Sequence, residues 1–273
     1  VKNLVFLKLG GSLITDKTQP QALRADVLER LAGEVGAALS KRPELRLLIG
    51  HGSGSFGHVV AGRYRTREGV ATPEEWRGYA ETACVAAELN RLVVGALGRS
   101  GAPVLPVQPS ASALCNDGEL AALEIRPIRT ALGHGLIPVI HGDVALDATR
   151  GGTIASTEEL FAWLAVRLRP ERILLVGEVA GVMTADPATA ADARLIPSIT
   201  PGSLDAVASM LGGSRGTDVT GGMSTKVKAM VALLQAAPSL RSIRIFSGLE
   251  PGLLLRLLLE PDAGGGTRIV RGD

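Results

Sequence analysis

Apolar residues in this chain come in short dense runs, separated by longer stretches in which they recur every three or four positions. The dense runs lie at 4–9, 45–50, 104–108, 137–141, 173–176, 242–246 and 267–270. Several are apolar without alternation, as strands covered on both faces are. Between them, helical spacing predicts helices near 25–40, 74–98, 157–167, 203–211, 223–236 and 251–258. Thr72-Pro73-Glu74-Glu75 marks one helix start, with a capping hydroxyl, a first-turn proline and acids at the positive end. Strands alternating with helices predict an α/β fold, a three-layer αβα sandwich around a mainly parallel sheet.

Two stretches break the alternation. Asn116-Asp117-Gly118 is a turn signal with Leu114 before it and Leu123-Glu124-Ile125 after it, which predicts a hairpin on the edge of the sheet. Gly212-Gly213-Ser214-Arg215-Gly216 reads as a flexible surface loop. No internal repeat or linker divides residues 1–273, so a single domain is expected.

Composition narrows the classes. With 46% hydrophobic and only 3% aromatic residues, the core must be built from Leu, Val, Ile and Ala. A net charge of +2 argues against nucleic acid or a membrane surface as the main partner. Cys84 and Cys115 have neither metal-ligand nor CxxC spacing and read as buried structural thiols in a reducing compartment. The run at 4–7 is interrupted by Lys8 and Gly10, too soon for a signal peptide, and Arg256 splits the run at 253–259. Neither approaches a ~20-residue membrane span, so a cytoplasmic location is expected.

Candidate chemistry concentrates in three glycine-bearing loops. Lys8-Leu9-Gly10-Gly11-Ser12-Leu13-Ile14-Thr15-Asp16-Lys17 leaves the first strand, with Lys17 nine residues beyond Lys8. His51-Gly52-Ser53-Gly54-Ser55-Phe56-Gly57-His58 follows the second. Asp218-Val219-Thr220-Gly221-Gly222-Met223-Ser224-Thr225-Lys226 should open a helix. Glycines let backbone N–H groups approach an anion closely, and a strand end aimed at a helix start suits phosphate. Lysine usage sharpens the pattern. Of 29 basic residues only six are lysines (2, 8, 17, 41, 226, 228), and three of those lie in or beside these loops. A compact ammonium is wanted there in a chain that otherwise prefers arginine. Gly52-x-Gly54-x-x-Gly57 also satisfies the dinucleotide fingerprint, so a nicotinamide-dependent oxidoreductase is a rival reading. Against it, the loop follows the second strand and no acid ends a clear next strand about 20 residues on. No G-x-x-x-x-G-K-[ST] cradle is present.

Lys8-x-Gly10-Gly11-Ser12, the loop after the second strand and Gly221-Gly222-Met223-x-x-Lys226 together resemble the amino acid kinase superfamily, over nearly the whole chain. Gly54-Ser55-Phe56-Gly57-His58 with Lys17 is similar to its isopentenyl phosphate kinase branch. That resemblance implies phosphorylation of isopentenyl phosphate by ATP, with Mg²⁺ held mainly by the ATP phosphates and no protein metal site. It implies an acceptor-binding lobe to about residue 170, a nucleotide-binding lobe from about 171, and a homodimer. Carried over by motif, Lys8, Gly10, Gly11 and Ser12 would hold the ATP phosphates and Lys17 would stabilise the moving phosphoryl group. Ser53 and Gly54 would lie between donor and acceptor phosphates, with His58 on the acceptor. Asp143 would orient the lysines, and Gly222 and Lys226 would cover the β/γ-phosphates. Glu178, Met183 and Asp186 would belong to the nucleoside-binding segment.

Val59 stands where the family often has proline and Glu178 and Ala180 where it favours Asp, and two further departures lie on the acceptor side. Ser53 replaces a usual third glycine, and Ser156-Thr157-Glu158 stands where Ser-Gly-Asp is common. Ser156 and Thr157 are therefore candidate acceptor contacts, and a phosphonate acceptor, as in fosfomycin kinase, is the alternative kinase reading. A non-catalytic nucleotide sensor is a further reading, which retention of all three lysines opposes. An isoprenoid tail needs an apolar slot, and Trp76, Tyr79, Ala83 and Ala86 share one helical face that could supply it. His51, His134 and His141 read as structural or supporting groups.

Overall fold

The computed structural model describes residues 2–185, 190, 192–211 and 222–272. Eight of the described strands form one sheet, whose order from one edge is Ser198–Ile199, Thr267–Val270, Ser242–Ser247, Arg172–Gly177, Leu4–Leu9, Arg46–His51, Ile137–His141 and Val104–Pro106. Six neighbouring strands run parallel, and only Thr267–Val270 and its partner Ser198–Ile199 are reversed.

Leu4–Leu9 is buried along its whole length because both of its faces are covered. Leu4 and Phe6 join a core beneath helices Arg126–Gly133, Thr157–Leu168, Leu204–Leu211 and Gly222–Ala236. Val5, Leu7 and Leu9 join a second core beneath helices Ala25–Lys41, Gly54–Tyr64, Pro73–Arg99 and Leu253–Leu259. Each side chain alternates to the opposite face, as strand geometry requires. The predicted three-layer sandwich is therefore present. The start of helix Pro73–Arg99 is also as expected: Glu75 N donates to Thr72 Oγ1 at 3.3 Å and Thr72 N to Glu75 Oε2 at 2.8 Å.

The hairpin around Asn116-Asp117-Gly118 forms, with Asp117 and Gly118 both at positive φ, 51° and 83°. It does not extend the main sheet. Its strands Leu114–Asn116 and Glu119–Ala122 join Asp143–Asp147 and Gly151–Ala155 in a separate four-stranded sheet. Asp147 holds that junction, accepting hydrogen bonds from the amides of Asp117, Gly118, Thr149 and Arg150. The loop predicted at 212–216 lies outside the described residues.

The chain builds outward from Leu4–Leu9 to one side, then returns to lay Arg172–Gly177 on the other. In open α/β sheets, the crevice past the carboxyl ends of the strands at such a reversal is where ligands bind. Glycine follows or ends the strands here: Gly10, Gly52, Gly142, Gly177 and Gly248. No described helix is long and apolar enough to cross a membrane.

Candidate active site

Two glycine loops meet in backbone contact at this crevice. A Cβ on Gly11 would lie 2.4 Å from the Gly54 nitrogen, and one on Gly52 would lie 2.9 Å from the Gly11 nitrogen. Gly54 has φ +49°, and its missing Cβ leaves the space that Thr15 Oγ1 occupies. Thr15 then stitches both loops together: its hydroxyl donates to Gly11 O at 2.7 Å and accepts from Ser55 N at 3.0 Å. This explains the apparent dinucleotide fingerprint. Its glycines let one loop seat against the other, and Gly57 makes room for the Ser53 side chain.

Two of the three highlighted lysines converge. Lys8 Nζ lies 2.9 Å from Glu158 Oε1, and Lys226 Nζ lies 3.8 Å from the same oxygen. Burial alone would push the Glu158 carboxyl up, but the Lys8 and Lys226 charges outweigh it and hold it at about 2. Glu158 thus stays ionised between two ammonium groups brought together from the first strand and the Gly222–Ala236 helix. The sequence reading missed it, treating Glu158 only as a departure from a motif. A signal was available in the Ser156-x-x-Glu159 capping box, which fixes a helix start and puts Glu158 in its first turn.

Asp143 was expected to orient the lysines; the structure gives the lysine contacts to Glu158 instead. Asp143 is buried and accepts from the Ser110 amide at 3.0 Å and the Val144 amide at 2.9 Å. Burial pushes its carboxyl up despite those amides. His141 lies 3.6 Å away and stacks on His51, with centroids 5.5 Å apart at 11°. His51 is tied by its ring to Asn90 Oδ1 at 3.0 Å, on the long helix. Burial holds both imidazoles down at about 4, and for His51 the neighbouring His141 adds to the effect.

Lys17 lies on the exposed tip between the paired strands Thr15–Asp16 and Ala22–Leu23. That hairpin leans on the second loop, since Gln21 N donates to Ser55 O and Ala22 N to Ser55 Oγ. It is also tied to the far side of the crevice by Arg24, whose guanidinium meets Glu178 at 2.7 Å. Glu178 therefore already has an arginine partner, which its expected nucleoside role did not include. Ser12 is half-buried in the short helix Gly11–Ile14. The Gly10 amide donates to Val176 O at 2.7 Å, so it anchors the loop to the sheet and is not available to a phosphate. Gly222 starts its helix at φ +69° with open space where a Cβ would be. Met183 is bridged to Leu195. Asp186 lies outside the described residues, as do Asp218 and Gly221.

In the second glycine loop, the Ser53 carbonyl accepts from the Phe56 and Gly57 amides at the start of helix Gly54–Tyr64, and His58 lies exposed on that helix, one turn from its start. The hydroxyls of Ser156 and Thr157, expected as acceptor contacts, are both engaged within the protein. Ser156 Oγ accepts from Glu159 N as a helix cap, and Thr157 is 1% exposed with its hydroxyl donated to His51 O at 2.6 Å. Tyr79 lies against Gly152, where a Cβ would be 2.9 Å from its ring, and Trp76 meets it edge-on at 5.3 Å. Burial first, then the Asp143 and Cys115 charges, pushes the Tyr79 phenol up to about 12. Gly152, Leu146 and Leu114 are opposite one another on adjacent strands and so share this face. Leu114 and Leu146 are about half-exposed, which leaves an apolar floor on the face that Tyr79 covers at Gly152, and Ala83 is half-buried on the same helix as Tyr79. Ala86, by contrast, is 2% exposed and belongs to the packed interior. Cys115 is buried as expected, but Cys84 is exposed.

Crossed glycine loops, converging lysines and a three-layer parallel sheet define a class. The model of the amino acid kinase family matches residues 3–247, and the chain belongs to that family. Within it, the relatives are specific. An isopentenyl phosphate kinase from Methanothermobacter thermautotrophicus is 40% identical across 98% of this chain and 99% of its own length. One from Haloferax volcanii is 38% identical across 85% of this chain and 88% of its own length. A solved isopentenyl phosphate kinase structure superposes with a TM-score of 0.82 at 35% identity, covering 98% of this chain and all of the other. Membership in a kinase family removes the nicotinamide reading, whose only support was the glycine fingerprint.

Proposed function

We propose that this protein transfers the γ-phosphoryl group of ATP to isopentenyl phosphate, forming isopentenyl diphosphate and ADP. The observation that carries the reading is the convergence of Lys8 and Lys226 on Glu158 beside two interlocked glycine loops. The apolar floor of Tyr79, Leu114 and Leu146 suits a short branched hydrocarbon tail. Full-length relatives with that activity support the acceptor.

A phosphate oxygen of the acceptor attacks the γ-phosphorus, and the bond to the β–γ bridging oxygen breaks to release ADP. The acceptor monoester, with a second pKa near ~6, is largely dianionic at neutral pH and needs no general base. Catalysis then reduces to positioning and charge neutralisation. Lys8 and Lys226 supply fixed positive charge, Lys17 comes from the hairpin above, and His58 donates to the acceptor phosphate. Mg²⁺ would arrive on the ATP phosphates and neutralise charge there. The lobes divide near residue 170, acceptor before and nucleotide after. Sedimentation of the purified chain decides the homodimer that the resemblance implies.

The test is ADP formation by pure protein with ATP, Mg²⁺ and isopentenyl phosphate, beside a panel that includes fosfomycin. Turnover on isopentenyl phosphate well above the other acceptors is expected. Turnover only on a phosphonate would reassign the acceptor, and ATP binding with no turnover on any acceptor would make the chain a sensor.

A further inference from the structure

Glu158 is the first-turn residue of helix Thr157–Leu168, and its direction depends on how that turn is held. Outside, the Ser156 and Glu159 capping box fixes the turn: Ser156 N donates to Glu159 Oε2 at 2.6 Å. Inside, one contact does it. Thr157 Oγ1 donates to the carbonyl of His51 at 2.6 Å, and that carbonyl also accepts from the Gly142 amide at 3.3 Å. The Thr157 methyl fills space left by Gly50, where a Cβ would meet it at 2.7 Å. His51 is itself immobilised by Asn90 and by its stack on His141.

We infer that Thr157 is a positioning residue for phosphoryl transfer, a strut that fixes the Glu158 carboxylate between Lys8 and Lys226 by hydrogen bonding to the glycine-loop strand. The strut starts at His51, the last residue before the loop that meets the acceptor, and ends one residue from the carboxylate that gathers the lysines. It therefore sets the distance between the acceptor loop and the two ammonium groups. This extends the proposed kinase activity and rests on it.

Thr157→Val removes only the hydroxyl at nearly constant volume, and Thr157→Ser keeps it. With ATP, Mg²⁺ and isopentenyl phosphate, Thr157→Val should lower kcat about 10- to 100-fold, the scale of a misplacement of about 1 Å. The KM for each substrate should stay within about twofold, and Thr157→Ser should recover most of kcat. If the hydroxyl acts through the carboxylate, Thr157→Val combined with Glu158→Gln should be no slower than Glu158→Gln alone. A merely structural role would lower Tm in Thr157→Val without that non-additivity. Wild-type kcat in Thr157→Val, an equal loss in Thr157→Ser, or strictly additive losses overturns the inference. Should Thr157→Val not fold, Thr157→Ala enters the same cycle. Wild-type protein inactive on isopentenyl phosphate would fail the functional proposal instead, and the cycle would then run on whichever acceptor the panel identifies.

Discussion

A loop histidine can serve a phosphate in two ways, and His58 illustrates how to separate them. It sits one turn into helix Gly54–Tyr64, on the exposed side, next to the stitched glycine loops. As a donor to a dianion it contributes charge-assisted hydrogen bonding; as a base it would have nothing to abstract. His58→Ala should therefore raise the KM for isopentenyl phosphate and lower kcat, together costing about 10²–10³ in kcat/KM, by analogy with loss of one oxyanion donor. ATP affinity, read by calorimetry, should be unchanged. Unaltered acceptor kinetics would remove His58 from the site. At this scale the sequence was readable where a residue type was scarce. Six lysines among 29 basic residues pointed to Lys8 and Lys226, and both reach the crevice. Glu158 was not readable that way, because acids are common on this chain and its importance comes from two cations that reach it from distant segments.

Among the elements, the hairpin bearing Lys17 has three attachments, and they differ in kind. Thr15 and Ser55 join it to the glycine loops by neutral hydrogen bonds, whereas Arg24 joins it to the segment after strand Arg172–Gly177 through Glu178 at 2.7 Å. Both partners of that ion pair are about one-third exposed, so it contributes little to overall stability. Its effect should instead be local, holding the tip where Lys17 can act. Arg24→Glu should lower kcat about 5- to 20-fold with Tm nearly unchanged, and Arg24→Glu with Glu178→Arg should restore much of the loss. Failure of the swapped pair to recover any activity would show that the two side chains act separately. The elements themselves were legible to different degrees. Long helices and two-sided strands followed from periodicity alone. Helix Gly54–Tyr64 did not, since Gly-Ser-Phe-Gly-His carries poor helix formers and the turn is held by Ser53, Thr15 and the neighbouring loop. Strands Asp143–Asp147 and Gly151–Ala155 are short, one bounded by aspartates and the other opening on two glycines, so they offered no run to detect.

For the molecule as a whole, the stacked His51–His141 pair makes stability depend on pH. Both rings are neutral in the fold, held at about 4 mainly by burial, against about 6.5 in an unfolded chain. The unfolded state therefore takes up protons first as pH falls. Stability is fully present above about pH 6.5 and declines toward pH 4, by up to roughly 3 kcal/mol per histidine. Glu158 leaves the slope above about pH 4.5 unchanged: held at about 2 in the fold, its carboxyl contributes fully above about 4.5, and that contribution is lost progressively as pH falls from about 4.5 toward about 2. Asp143 works the other way, because burial raises its carboxyl and folding then favours the protonated form on acidification. The histidines dominate if the measured Tm falls steadily between pH 7 and pH 5. His141→Phe isolates the cause, since no described hydrogen bond from His141 is lost and an aromatic ring still lies over His51. That variant should lose about half of the pH slope, so that its stability relative to wild type is higher at pH 5 than at pH 7. An unchanged slope would mean that His141 titrates in the fold as freely as in water, against its burial opposite His51 on the neighbouring strand.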